Sequence, residues 1–190
     1  MHSQVGAPAA TVLVTGIGGF LGGHIARQLL ESGHRVRGTV RDLAASDRIR
    51  SRLGAPALAA ADALDFARAD LRSDGGWDDA LKDCRYVIHA ASPFPAGLPN
   101  DANELIRTAK DGALRVLRAA HDAGVARVVL TSSIAATNHG DGQAPFTESN
   151  WTDPTSPRAT PYYRSKTLAE QAAWALPARA DSIWPSSTPA

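Results

Sequence analysis

Thr11-Val12-Leu13-Val14-Thr15-Gly16-Ile17-Gly18-Gly19-Phe20-Leu21-Gly22 lies near the start of a 190-residue chain. Its first five residues are apolar and β-branched and end at a glycine, the pattern of a strand buried on both faces. Helical spacing follows, with Leu21, Ile25 and Leu29 on one side and Arg27, Gln28 and Glu31 elsewhere, until Gly33 stops the helix. A strand, a glycine turn and a helix in that order form a cradle for a dinucleotide. Gly16 lets the chain turn sharply, Gly19 removes a side chain where a pyrophosphate must approach the backbone, and Gly22 allows close helix packing. The helix start at Phe20 and Leu21 then offers unpaired N–H groups and the positive end of its dipole to phosphate.

Outward from this turn the rhythm alternates. Strands are expected at Val36–Val40, Phe66–Ala69, Tyr86–Ala90 and Arg127–Thr131. Helices are expected at Asp47–Leu53, Trp77–Lys82 and Asn103–Ala123, the last with Leu105, Ile106, Ala109, Ala113, Leu117 and Ala120 inward. Strands separated by helices imply an α/β fold, a doubly wound Rossmann-like parallel sheet. From Asn138 to Pro161 the periodicity gives way to Gly, Pro, Asp, Ser and Thr, a loop long enough to be functional. Thr160 then caps a helix with Pro161 in its first turn, running inward through Leu168, Ala169, Ala172 and Ala173 to about Trp174.

Composition excludes several classes. Net charge is +1, with 44% hydrophobic and 21% charged residues, so no basic face invites nucleic acid or an anionic membrane. Cys84, the single cysteine, has no partner for a disulfide, and no Cys/His cluster has metal spacing. Met1–Pro8 has no signal-peptide pattern, and no run approaches the ~20 apolar residues of a membrane span. A soluble cytoplasmic protein is expected.

The spacing Thr-Gly-x-x-Gly-Phe-Leu-Gly resembles the fingerprint of the extended short-chain dehydrogenase/reductases. The resemblance runs from about Thr11 to Trp174 and points to one nucleotide-binding domain over residues 9–174. Thr39-Val40-Arg41-Asp42 is similar to the NADP-preferring plant dihydroflavonol and cinnamoyl-CoA reductases and their bacterial aldehyde-reductase relatives. Arg41, just past the second strand, can hold a 2′-phosphate with several donors, whereas an inward Asp42 would hold a ribose and repel that phosphate. NADP rather than NAD is expected. Asp70 and Leu71 match the family's adenine contact. Ala90, Ala91 and Ser92 match its fourth strand end, where small residues let cofactor lie against backbone.

Tyr162 and Lys166 are four apart on the last helix and project from one face. An ammonium beside a phenol favours the phenolate, so such a tyrosine can exchange a proton with a carbonyl oxygen. Ser133 stands at the end of the fifth strand, on the edge where ligands gather. Thr131-Ser132-Ser133-Ile134 with Tyr162-x-x-x-Lys166 resembles the family's Ser-Tyr-Lys triad. The resemblance implies Tyr162 as acid/base, Lys166 as tuner and ribose ligand, and Ser133 as carbonyl orienter. Ser132 and Tyr163 are the competing positions. His89 is expected to be a hydrogen-bonded core residue, Cys84 a small buried one, and Asp78, Asp79, Lys82 and Asp83 a solvated face. Trp151 either lines a substrate pocket or anchors its loop.

Relatives continue into a sixth strand and a substrate domain, but residues 175–190 have no strand character. Read one base out of frame, Asp181-Ser182-Ile183-Trp184-Pro185-Ser186-Ser187-Thr188-Pro189 can encode Leu-Asp-Leu-Ala-Val-Ile-Asn-Pro, as the family would have here. The expectation is a frame shift near Trp174, leaving an out-of-frame tail and an exposed sheet edge. The functional expectation is reduction of an aldehyde or ketone by NADPH, with a small-molecule carbonyl substrate and the oligomeric state open. Two alternatives stand beside it: a nucleotide-sugar epimerase or dehydratase holding NAD, and an inactive dinucleotide-binding fragment.

Overall fold

A computed structural model describes residues 10–59, 61–94, 97, 101–139 and 144–176. Its centre is a parallel sheet of β1 (Thr11–Thr15), β2 (Arg35–Val40), β3 (Leu64–Arg68), β4 (Tyr86–His89) and β5 (Arg127–Leu130), in the order β3-β2-β1-β4-β5. β1 is therefore central, and Val12 to Thr15 are almost wholly buried. Its side chains alternate between two cores, as a strand period of two requires. Val12 and Val14 meet α1 (Phe20–Glu31), α2 (Ser46–Leu53) and α3 (Ala55–Ala59) on one face. Leu13 meets Trp77 and Leu81 of α4 (Trp77–Leu81) and Val116 and Ala120 of α5 (Ala102–Asp122) on the other. Helices on both faces make the sheet doubly wound, and parallel pairing leaves crossover helices as the only short connection.

The last helix, α6 (Pro161–Trp174), lies along α5 through Ala109, Ala113 and Ala169, side chains small enough for close approach. Thr160 caps it by accepting the Tyr163 N–H, and proline occupies its first turn, as expected. Asp101 does the same for α5, accepting the Asn103 N–H at 2.8 Å.

Three sequence expectations shift. The buried stripe of α1 is Gly22, Ala26 and Leu30, with Ile25 and Leu29 half-buried, while Leu21 is exposed. The third strand begins at Leu64 and ends at Arg68 instead of spanning Phe66–Ala69. α5 also buries Val116 and Gly112, which the spacing argument passed over. β5 lies at the edge of the described sheet, and Val129 is 52% exposed there. No helix among the described residues is long and apolar enough to cross a membrane. The sequence readings of Met1–Pro8 and of residues 177–190 lie outside the described residues.

Candidate functional site

Every strand points its carboxyl end at the same edge of the sheet, and a groove of about 750 Å³ runs across that edge. The volume suits a cofactor-sized ligand. Gly16, Gly18 and Gly19 form its floor, Arg41, Asp42 and Arg48 one end, Asp70 and Leu71 a wall, and Ala90, Ala91, Ser92 and Phe94 the other end.

The turn needs glycine at its first position. Gly16 has φ +69°, and a Cβ there would stand 3.0 Å from Ala91 Cα. Its carbonyl accepts the Gly19 N–H at 2.8 Å, closing the turn. The first bond across the α1 cap runs from Gly23 N–H to Gly19 C=O, so Phe20, Leu21 and Gly22 precede it and keep their N–H groups for another acceptor. The side chains of Phe20 and Leu21 are 86% and 44% exposed and do not line the groove, so any role they have toward a ligand is carried by backbone. Gly22 packs on the Gly16 carbonyl itself, and Gly38 leaves room for Ile17, a role the sequence did not disclose.

At the far end, Asp42 is engaged as a cap, accepting the Ala44 N–H at 2.9 Å. Arg41 and Arg48 both line the groove there, and Arg48 was not foreseen. Asp70 accepts the Arg72 N–H at 2.9 Å, which shapes the bend after β3.

Tyr162 and Lys166 are adjacent on α6. The Lys166 ammonium lies 5.8 Å from the Tyr162 ring centroid, within cation–π range. Lys166 is 9% exposed, and burial pushes it below the usual lysine range. The Tyr162 ring meets Phe94, a residue of the groove lining, edge to face at 5.4 Å. Tyr163 packs instead against His139, the rings tilted at 50° with centroids 4.8 Å apart. A small space of about 20 Å³ beside Lys166 is lined by His89, Ser132 and Glu170 together with Ala109, Ala113 and Leu130, with Ala91 and Ser92 shared between it and the groove.

Ser133 follows β5 and caps a single 3₁₀ turn, Ile134–Ala136, that packs against α6. Its oxygen accepts the Ala135 N–H at 3.2 Å, leaving the hydroxyl proton to donate. Among the described residues it makes no hydrogen bond to Tyr162. The Ser132 hydroxyl donates to Glu170, so of the two serines Ser132 is the one held on α6. Cys84 is buried, and that burial raises its thiol pKa. Asp78, Asp79, Lys82 and Asp83 are exposed as expected, and Trp151 is half-buried. No cluster of metal-ligating side chains occurs among the described residues.

His89 is 2% exposed, and burial together with the Lys166 charge lowers its pKa to about 4. An unfolded chain binds a proton on this histidine below about 6.5, and the folded chain does so only below about 4. Between those values the unfolded state holds more protons, so stability falls as pH drops through the window, by about 3 kcal/mol in total. Urea unfolding at pH 7 and pH 4.5 is expected to show this loss in the wild type, and His89→Asn is expected to lessen the difference between the two pH values.

A parallel sheet in this order, with a glycine turn after β1 and a groove over the carboxyl edge, defines the Rossmann-type nucleotide-binding class. The chain belongs to the NAD dependent epimerase/dehydratase family, whose model matches residues 12–183. It is 37% identical over 177 residues to the bifunctional dihydroflavonol 4-reductase/flavanone 4-reductase of Malus domestica, covering 90% of this chain and 50% of that protein. Gre2 from Candida albicans, solved in complex with NADPH, matches with TM-score 0.75 and 31% identity over 87% of this chain and 52% of its own. Vestitone reductase from alfalfa (Medicago sativa L.) matches with TM-score 0.71 and 32% identity over 86% and 51%. The chain thus spans about half the length of the relatives it matches.

Proposed function

We propose that this chain carries the dinucleotide-binding and proton-donating half of an NADP-dependent reductase of an aldehyde or ketone. The observation that carries the reading is one groove, joining a pair of guanidinium groups, a glycine turn and the Phe94 ring that touches Tyr162. Likeness to proteins named as reductases, one of them solved with NADPH, supports it.

The chain's groups fit the cofactor along its length. The open N–H groups at the start of α1 face a pyrophosphate, and the tight turn that Gly16 and Gly19 close holds them in place. Arg41 and Arg48 bind a 2′-phosphate, which Asp42 does not oppose while it caps its own turn. Asp70 and Leu71 border the adenine, and Ala90, Ala91 and Ser92 leave room along the strand end. Lys166 holds the nicotinamide-side ribose hydroxyls. Bound NADPH supplies the hydride. Tyr162 gives its phenolic proton to the carbonyl oxygen of the substrate, Ser133 donates a hydrogen bond that orients that oxygen, and the Lys166 ammonium favours the phenolate left behind.

The cofactor assignment has a direct test. The double variant Arg41→Ala/Arg48→Ala is expected to weaken NADPH binding by about 10–100-fold, because charge-assisted phosphate bonds are lost. NADH, which lacks the 2′-phosphate, is expected to bind both proteins alike. Fluorescence titration with each nucleotide reads the difference, and an equal loss for both would remove the phosphate role.

A further inference from the structure

The site described above leaves the buried imidazole of His89 unused. His89 ends β4 opposite Thr15, the last residue of β1 before the glycine turn. The Thr15 hydroxyl is wholly buried and sits between two groups. It accepts the Ala91 N–H at 3.0 Å, and it lies 2.7 Å from His89 Nδ1. A hydroxyl has one proton, and among the described residues Nδ1 is the acceptor within reach of it. The proton therefore goes from threonine to Nδ1, and the ring's own proton sits on Nε2. A doubly protonated ring would turn an N–H toward the Thr15 oxygen and leave the hydroxyl proton in the core without an acceptor.

The consequence reaches the turn. Ala91 is the residue against which Gly16 packs, with only 3.0 Å between its Cα and the position of a Cβ on Gly16. The Ala91 N–H is held by Thr15, so the gap between the glycine turn and the β4 exit is set by a bond whose acceptor is oriented from behind by His89. We infer that His89 is a positioning residue for the dinucleotide turn: as a neutral Nε2–H imidazole it takes the Thr15 hydroxyl proton and so fixes Thr15 as the acceptor that clamps Ala91 beside Gly16. Its setting suits that tautomer. The ring is 2% exposed, Lys166 lines the same small space beside it, and burial and the lysine both disfavour an imidazolium.

The effect on cofactor binding rests on the proposed function, whereas the tautomer does not. Long-range ¹⁵N–¹H spectra of the whole chain at pH 7 are expected to show His89 neutral, with its proton on Nε2. An Nδ1–H or charged ring would overturn the inference whether or not any nucleotide binds. Two variants then test the clamp. His89→Asn keeps an acceptor near the Nδ1 position, and His89→Leu removes it. His89→Leu is expected to speed hydrogen exchange at the Ala91 amide and to weaken NADPH binding about tenfold, with His89→Asn within about threefold of wild type. Combining His89→Leu with Thr15→Val is expected to add little to either change. Unchanged Ala91 exchange in a folded His89→Leu protein would sink the clamp. If His89→Leu does not fold, Thr15→Val carries the same test, because it removes the Ala91 acceptor directly. Should the wild type bind no NADPH, the proposed function fails while the ring spectra and amide exchange still decide this inference.

Discussion

Tyr162→Phe is expected to lower the turnover of a carbonyl substrate by about 10²–10⁴-fold, the range for loss of a positioned general acid, and to leave NADPH affinity within about threefold of wild type. The change removes one oxygen and keeps the ring, so the edge-to-face contact with Phe94 and the ammonium's approach to the ring face persist. Fold and groove are therefore untouched, and a loss in kcat with an unchanged nucleotide titration isolates the proton. Tyr163→Phe is the control. That ring packs tilted against His139, and it is the Tyr162 ring that the Lys166 ammonium approaches, at 5.8 Å from its centroid. If Tyr162→Phe turns over like the wild type while NADPH is consumed, the proton comes from elsewhere and the reductase mechanism proposed for this chain is wrong. If neither protein consumes NADPH with any aldehyde or ketone but both bind it tightly, the chain is a nucleotide-binding unit without turnover.

The parts of this architecture that sequence discloses are those where one residue type has one physical use. A β-branched run ending in glycine can be little else than a buried strand entering a tight turn, and β1 and Gly16 are found so. The long helix α5 is legible because its apolar spacing is sustained over many turns. The shifts come from packing partners that are distant in sequence. In α1 the small residues Gly22 and Ala26 are buried and Leu21 is not, because a helix that lies close to a glycine turn selects small side chains, whereas a spacing argument counts large ones. β3 looks weak because Asp65 interrupts its apolar run, yet that carboxylate pairs with Arg37 at 3.1 Å on the neighbouring strand. Arg48 resembles any surface arginine until α2 brings it to the groove that Arg41 also lines. His89 is readable as a hydrogen-bonded core residue, but its partner Thr15 is 74 positions away, and only the register of β1 on β4 brings them level.

Two neighbouring glycines in α1 turn this packing argument into an expected difference of opposite sign. Gly22→Ala places a Cβ 2.3 Å from the Gly16 carbonyl oxygen and 2.7 Å from its carbon. Both contacts are with backbone, so no side chain can swing aside. Relief requires the turn to open, and opening it loosens the 2.8 Å Gly19-to-Gly16 bond and misplaces the N–H groups ahead of it. Overpacking of this kind costs about 3 kcal/mol, which for a chain of this size lowers the thermal midpoint by about 10 °C. Nucleotide affinity is expected to fall with it. Gly23→Ala meets only ordinary contacts, 3.6 Å from the Ile17 carbonyl oxygen and from a Leu53 methyl. There the gain in helix propensity prevails, and the variant is expected to be more stable by about 0.5–1 kcal/mol. Thermal unfolding of the two single variants, each with and without NADPH, separates a local clash at the turn from a general intolerance of α1 to added bulk. Equal destabilisation by both would mean that the turn is not the element under constraint.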